Sequence, residues 1–317
     1  MTAPVSQPAA PARVSLAHKV EYAALRAVVG ALGALDWRRA GNVGARLGAL
    51  GYRPLGIRRG VVERQIAAAF PELGDGGVRR IARAAYEHLG RASIEAAILP
   101  GLGRDAVLDL FEGADDFDVV EEAMRRGRGL IFVTGHLGNW ELAGAYVAAR
   151  GVPLDAIARR MKNPLFDRYL TDTRSRIGMH VVHDAEAVRR TPRSLRDGRA
   201  VAFLVDQGVL GLASTFVPFF GRPAKTPRGP AVFALRLDVP VVFGAAVRQP
   251  SGKYRLGFER VPVEDTGDRD RDVDTIVARY TAVLERWVRR YPEQYFWHHR
   301  RWRRQPPDTP PELRAPA

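Results

Sequence analysis

Cysteine is absent from the 317 residues, which excludes disulfides, thiolate–zinc sites and a cysteine nucleophile. Such a chain fits a reducing cytoplasm. A long apolar run is also missing. From Leu16 to Tyr52 the chain is apolar but broken by Lys19, Glu21, Arg26, Asp36 and the Arg38-Arg39 pair. Its longest uncharged stretch, Ala27–Leu35, falls far short of the roughly 20 residues that a spanning helix needs. The residues before Leu16 are rich in Pro and Ala and lack a charged segment followed by an apolar core and cleavage site. No removable signal peptide is therefore expected. Gly-x-Ser-x-Gly, His-Glu-x-x-His and a Walker lysine are all absent too, which removes the usual signatures of serine hydrolases, zinc peptidases and P-loop enzymes.

Acidic residues are in deficit. Asp and Glu number 35 against 49 Lys and Arg, leaving a formal charge of +14. A surface of that sign attracts nucleic acid, anionic lipid headgroups or an acidic carrier protein. Tyr22, Trp37 and Tyr52 sit among Arg and Lys in the broken apolar segment, as in helices that lie in a headgroup layer. Near the other end, Tyr295-Phe296-Trp297 runs into His298-His299-Arg300-Arg301-Trp302-Arg303-Arg304. That mixture suits phosphorylated headgroups, an interface or single-stranded nucleic acid, and it makes Arg300 and Arg301 candidate ligand contacts. No helix-turn-helix or RNA-binding signature accompanies it, so a nucleic-acid-binding protein is the rival reading and no nucleic-acid partner is expected.

Beyond this segment the texture alternates. Residues 58–97 continue helical. GLIFVTG (129–135) reads as a buried strand, Asn139–Arg150 as a helix, Leu154–Ala158 as a strand and Pro164–Ile177 as a helix. A third apolar strand covers Val201–Val205; a helix over 228–237, strands over 240–247 and 254–261 and a helix over 271–290 follow. This order predicts an α/β fold, a largely parallel mixed sheet flanked by helices, with an N-terminal helical membrane-associating extension. Gly30–Gly33 and Gly41-Asn42-Val43-Gly44 read as small-residue helix contacts, since no strand precedes them. His180 and His183 do not make a metal pair, because on the strand predicted there their rings point to opposite faces. No metal site and no cofactor are expected.

The segment Thr134-Gly135-His136-Leu137-Gly138-Asn139-Trp140-Glu141 follows a buried strand and opens a helix. Open α/β sheets bind ligands beyond the carboxyl ends of their strands. Five positions apart on a continuous helix, His136 and Glu141 would diverge by about 140°. They meet only if His136 lies in the turn and Glu141 in the first helical turn. Gly135 and Gly138 flanking the histidine, and Asn139 as N-cap, support that break. A neutral imidazole can then take a hydroxyl proton while the carboxylate fixes its tautomer. With no adjacent serine or cysteine nucleophile, the base would act on a substrate hydroxyl.

These residues resemble the His-X4-Glu motif of the lipid A biosynthesis acyltransferase family. The likeness extends in order from about residue 60 to 304. Arg159-Arg160-Met161-Lys162-Asn163-Pro164 is similar to the family's Arg-Pro-x-x-Asn-Pro block. Val205-Asp206-Gln207-Gly208 and Phe216-Val217-Pro218-Phe219-Phe220-Gly221 are similar to its Asp-Gln…Phe-x-Pro-Phe-Phe-Gly block. Pro292–Trp302 matches its terminal signature, with His298 in place of a leucine. Gln65, before Phe70-Pro71-Glu72, replaces an asparagine. The resemblance implies His136 and Glu141 as catalytic pair and Arg159 and Asp206 as site residues, with Asn139 also counted among the substrate contacts. It implies a donor carried on acyl carrier protein or coenzyme A, a glycolipid acceptor, and an anionic membrane partner at the cytoplasmic face of the bacterial inner membrane. An acceptor of the phosphatidylinositol mannoside type, or an aminolipid, is the alternative. Arg159 at a strand end suits a phosphate or an oxyanion. Asp206 either pairs with Arg159 or starts the turn before Gly208. The expected layout is a disordered lead-in (1–15), a helical membrane-associating region (16–100), an α/β acyltransferase domain (101–304) and a disordered tail (305–317).

Overall fold

The computed structural model describes residues 14–208 and 213–316; most of the expected lead-in lies outside that range. Four helices come first: α1 (Leu16–Gly33), α2 (Trp37–Tyr52), α3 (Arg59–Ala69) and α4 (Asp75–Ile98). After the short α5 (Arg104–Asp109), strands and helices alternate: β1 (Phe111–Asp115), α6 (Phe117–Arg125), β2 (Leu130–Thr134), α7 (Trp140–Ala149), β3 (Leu154–Ala158), α8 (Pro164–Arg176), β4 (Met179–His183), α9 (Asp184–Arg196) and β5 (Ala200–Leu204). A hairpin of β6 (Ser214–Phe219) and β7 (Arg222–Pro227) leads to α10 (Gly229–Leu237), β8 (Val241–Arg248), β9 (Tyr254–Val261) and α11 (Arg269–Arg290).

The helix starts follow capping chemistry. Asp36, Asn139, Asn163 and Asp268 each accept a hydrogen bond from a first-turn backbone N–H, satisfying one of the orphan donors there. Pro164 occupies the position after Asn163, where its missing N–H costs nothing.

The seven-stranded sheet runs in the order β1-β9-β8-β2-β5-β3-β4. Strands β8, β2, β5, β3 and β4 are mutually parallel. β9 pairs antiparallel with β8, and β1 lies parallel to β9. The sheet is thus mixed and mostly parallel, as expected, with its reversed strands confined to one edge. Buried residues from Leu130 to Val133 and from Val241 to Val247 explain why β2 and β8 are central: a strand covered on both faces needs a continuous apolar run.

Two cores cover the two faces. One joins Ile131, Val133 and Phe243 of the sheet to α3, α4, α10, α11 and the terminal Trp297 and Trp302. The other joins Leu130, Phe132 and Phe258 to α5, α6 and α7. Val62, Ile66, Val78, Ala82 and Tyr86 belong to the first core, so α3 and α4 pack with the sheet. α2 is tied to α4 through glycine. An added Cβ at Gly48 would lie 2.0 Å from the Tyr86 carbonyl oxygen, and one at Gly90 would lie 2.1 Å from that of Gly44. Gly30 and Gly33 make no such contact. Of the first four helices α1 is the most peripheral, with Leu32 its one buried residue. No helix among the described residues is long and apolar enough to cross a membrane.

The terminal segment makes contacts with the hairpin. Arg222 donates to the carbonyls of Glu312 and Arg314, and Ala315 N donates to the Gln305 side chain. Thr309 is buried. These long-range contacts hold residues 305–316 against β7.

Candidate active site

β2, β5 and β3 end side by side, and the segments leaving them converge. Thr134 closes β2 in the middle of the sheet, so the chain must turn away at once. Gly138 takes a φ of +61°, and a Cβ there would fall 1.9 Å from the Ala246 carbonyl oxygen; only glycine fits. At Gly135 a Cβ would meet Leu284 at 2.7 Å and the Asp206 carboxyl carbon at 3.4 Å. The turn is stitched from both sides. Phe296 N donates to the His136 carbonyl, Gly138 N to Gln294 O and Asn139 N to Ala246 O, each at 2.9 Å.

α4 holds it from below. His88 Nε2 lies 3.0 Å from the Gly138 carbonyl; because a carbonyl only accepts, that nitrogen carries the proton. Burial depresses the His88 pKa to about 4, so the ring stays neutral. Two turns along the same helix, Glu95 accepts from Asn139 Nδ2 at 3.2 Å and from the Tyr254 hydroxyl.

His136 faces a carboxylate, and it is not the one expected. Asp206 Oδ1 lies 2.8 Å from His136 Nδ1, while Oδ2 accepts the His136 backbone N–H at 2.9 Å. Both oxygens are used, so ring and backbone are fixed together. Burial works against the Asp206 charge, but the charge and hydrogen bonds of His136, aided by Arg301, hold its carboxyl down to about 2. Ionised Asp206 accepts only, which places the proton on Nδ1 and leaves Nε2 as the free base. Burial lowers the His136 pKa, and Asp206 with a smaller contribution from Glu141 more than offsets it; the net direction is upward. Trp140 packs its ring edge-on at 4.8 Å between centroids. Gln207 Nε2, 3.3 and 3.4 Å from the two ring nitrogens, stands over the imidazole rather than in line with either lone pair.

Glu141 is engaged elsewhere. Arg174 of α8 grips it with a fork, Nε to Oε2 at 3.0 Å and Nη2 to Oε1. Its charge reaches His136, but the orienting role assigned to it from spacing belongs geometrically to Asp206. Asp206 in turn does not pair with Arg159. Arg159 is exposed, lines the cavity and has no partner among the described residues.

His136 opens onto a cavity of about 380 Å³. Ile157, Leu170, Val181, Val188, Phe203 and Phe233 give it apolar walls, with Arg159, Thr171, Arg174 and His183 as polar points. A smaller space of about 80 Å³ shares Trp140, Ile157, Arg174 and Leu204 with it and runs beneath α7 to Met179 and Phe258.

Three other expected contacts lie outside the cavity. Asn139 is buried as the α7 cap, its Oδ1 accepting from Leu142 N. Arg301 is buried and donates to Lys225 O and Thr226 Oγ1, both at 2.6 Å; it is structural. Arg300 is exposed beside Val61, Arg64 and Trp302. Gln65 also has a structural task. Its amide donates to the carbonyls of Trp297 and His299 and accepts from Arg301 N. His298 is buried against Tyr86 and Phe296, without a partner for either ring nitrogen among the described residues and with its pKa lowered to about 4 by burial. A neutral ring there fills an apolar slot, consistent with leucine as the family alternative. Motif reading missed Arg174 and His88. The spacing of His88, Arg91 and Glu95, three and then four apart in an otherwise apolar helix face, was the available signal for the second.

The chain is 27% identical to the lipid A biosynthesis lauroyltransferase of Escherichia coli (strain K12) over 85% of its own length and 87% of that protein. It is 25% identical to the palmitoleoyltransferase of the same organism, over 83% and 85%. A phosphatidylinositol mannoside acyltransferase of Mycobacterium tuberculosis is 29% identical over 48% of this chain and 49% of its own. A family model described as bacterial lipid A biosynthesis acyltransferase matches residues 14–304, and the chain is therefore an acyltransferase belonging to that family.

Proposed function

We propose that this enzyme moves a fatty-acyl chain from a thioester, on acyl carrier protein or coenzyme A, to a hydroxyl of a lipid A precursor at the cytoplasmic face of the inner membrane. The observation that carries the reading is an imidazole fixed by an ionised carboxylate at the mouth of an apolar cavity. His136 Nε2 takes the acceptor hydroxyl proton as the oxygen attacks the thioester carbonyl. The carbon–sulfur bond breaks, and the departing thiolate takes the proton back from the imidazolium. Asp206 stabilises that imidazolium. The acyl chain lies along Ile157, Leu170, Phe203 and Phe233, which exclude water from the thioester. Arg159, exposed at the cavity, meets a phosphate of the acceptor or the developing oxyanion in this reading.

Support for the membrane comes from α1. Leu16, Val20 and Val28 are exposed there, with Lys19 and Arg26 on the same helix, as in helices that lie in a headgroup layer.

The test supplies purified enzyme with acyl carrier protein or coenzyme A thioesters and a panel of acceptors. A lipid A precursor should be acylated on a hydroxyl, and His136→Ala should reduce turnover by about 10² to 10⁴ with folding intact. Near-wild-type turnover in His136→Ala would remove the base. Acylation of a phosphatidylinositol mannoside, with the lipid A precursor left untouched, would reassign the acceptor.

A further inference from the structure

A second groove, separated from the His136 cavity by α8, lies where α1 crosses the body of the fold. It encloses about 290 Å³ between Arg26, Val29, Gly30 and Gly33 of α1, Trp37, and the turn that follows α4, with Tyr169 and Arg176 of α8 on the far side. The Arg26 guanidinium lies over the Tyr169 ring, 5.6 Å from its centroid. Arg176, seven positions after Tyr169, falls on the same face of α8. Neither arginine has an anionic partner among the described residues, and no acidic side chain lines the groove. Trp37 Nε1 is likewise without a partner there.

Two uncompensated cations beside an apolar wall define the occupant. A small inorganic anion satisfies Arg26 and Arg176 but leaves Val29, Leu35, Ile98 and Leu102 facing water. A neutral lipid does the reverse. We infer that this groove binds an anionic phospholipid from the bilayer, with its headgroup phosphate between Arg26 and Arg176 and the start of one acyl chain along Val29, Ile98 and Leu102. The volume suits a headgroup and part of a chain rather than a whole lipid. Gly30 and Gly33 agree with such a guest. An added Cβ at either meets nothing within 4 Å, so the absence of side chains there is not demanded by packing and leaves room in the groove. The site is independent of the acyl-transfer reading, since it shares no lining residue with the His136 cavity.

The probe is a short-chain phosphatidylglycerol brominated on one chain, added below its micelle concentration to the full-length protein. Bromine quenches indole emission on contact, so the signal of Trp37 is read as wild type minus Trp37→Phe. Saturable quenching of Trp37 is expected, with the matching phosphatidylcholine weaker by about tenfold or more, as loss of net negative charge beside two arginines implies. Arg26→Gln/Arg176→Gln should weaken the phosphatidylglycerol midpoint by a similar factor. Gly30→Leu, whose Cβ meets nothing within 4 Å and which raises helix propensity, should abolish saturation while the melting temperature holds or rises. A wild-type midpoint in both variants would overturn the site. Displacement of the lipid by inorganic phosphate at the lipid's own concentration would overturn its lipid character.

Discussion

Replacing Asp206 by asparagine isolates the electrostatic part of the site. Two donors converge on this carboxylate, the His136 backbone N–H and ring Nδ1–H, at 2.9 and 2.8 Å. An amide offers one acceptor oxygen and one donor group, so it can serve only one of them and sets a donor against the other. Hydrogen bonds to a charged group contribute about 1.5–3 kcal/mol each, and about 1.36 kcal/mol is a factor of ten. Losing one of the pair in the transition state therefore costs on the order of 10- to 150-fold in kcat, and more if the imidazole turns to its other tautomer. The pH profile carries a sharper sign. His136 must be neutral to accept a proton, so activity falls as the pH drops through its pKa. In the wild type that pKa is raised above 6.5, because Asp206 and Glu141 outweigh burial. With Asp206 neutral the main opposing influence is gone and burial pulls the pKa down. The acid limb of kcat/KM should thus lie above 6.5 in the wild type and move to lower pH in Asp206→Asn, even as the plateau falls. Initial rates of thiol release with acceptor present, from pH 5 to 9, read both quantities. A variant with an unmoved acid limb, or one shifted upward, would refute the assignment of Asp206 as the group that tunes the base.

Other outcomes follow from the same structure. Glu141→Gln leaves Arg174 with a half-satisfied fork in a partly buried site; breaking a buried pair in this way costs about 3–5 kcal/mol at the upper end, so the melting temperature should fall along with kcat, whereas Asp206→Asn should alter the pH profile most. Gln65→Ala frees three backbone groups of residues 297–301, and a loss of roughly 2–4 kcal/mol in urea unfolding is expected. Deleting residues 16–33 should weaken flotation with anionic liposomes and leave a soluble enzyme. Intact flotation of the truncated protein would make α1 merely structural. Transfer should follow sequential kinetics without an acyl-enzyme, since a thioester is reactive enough for direct attack. A donor-dependent adduct on Thr134, Ser214 or Thr215 that discharges at the turnover rate would contradict that.

Strands β2, β3 and β9 were readable because continuous or alternating apolar runs leave little choice of period. β1 was not. Its sequence, Phe111-Glu112-Gly113-Ala114-Asp115, carries the charges of an edge strand, and a run of that kind resembles a loop. α9 hides behind Pro192 in its interior, and the β6–β7 hairpin behind three prolines. At the site, residue chemistry singled out the histidine but not the carboxylate that it touches. Glu141 is five residues from His136 and Asp206 is 70 away; spacing favours the near carboxylate, while topology brings the far one alongside by ending β5 next to β2. The terminal arginines illustrate the converse error. A cluster of cations in sequence looks like one surface, yet Arg301 turns inward and Arg300 outward.

The seam between the catalytic turn and the terminal segment sets a schedule for birth. Phe296 and Gln294 complete the turn at His136 and Gly138, and Gln65 waits for Trp297, 232 positions further on. At about 5–20 residues per second, a ribosome needs on the order of ten to fifty seconds to travel between those two residues. For the part of that interval after residue 136 the nascent chain carries its histidine without the strap that aligns it. The histidine turn is therefore completed only once the last tryptophans have been made.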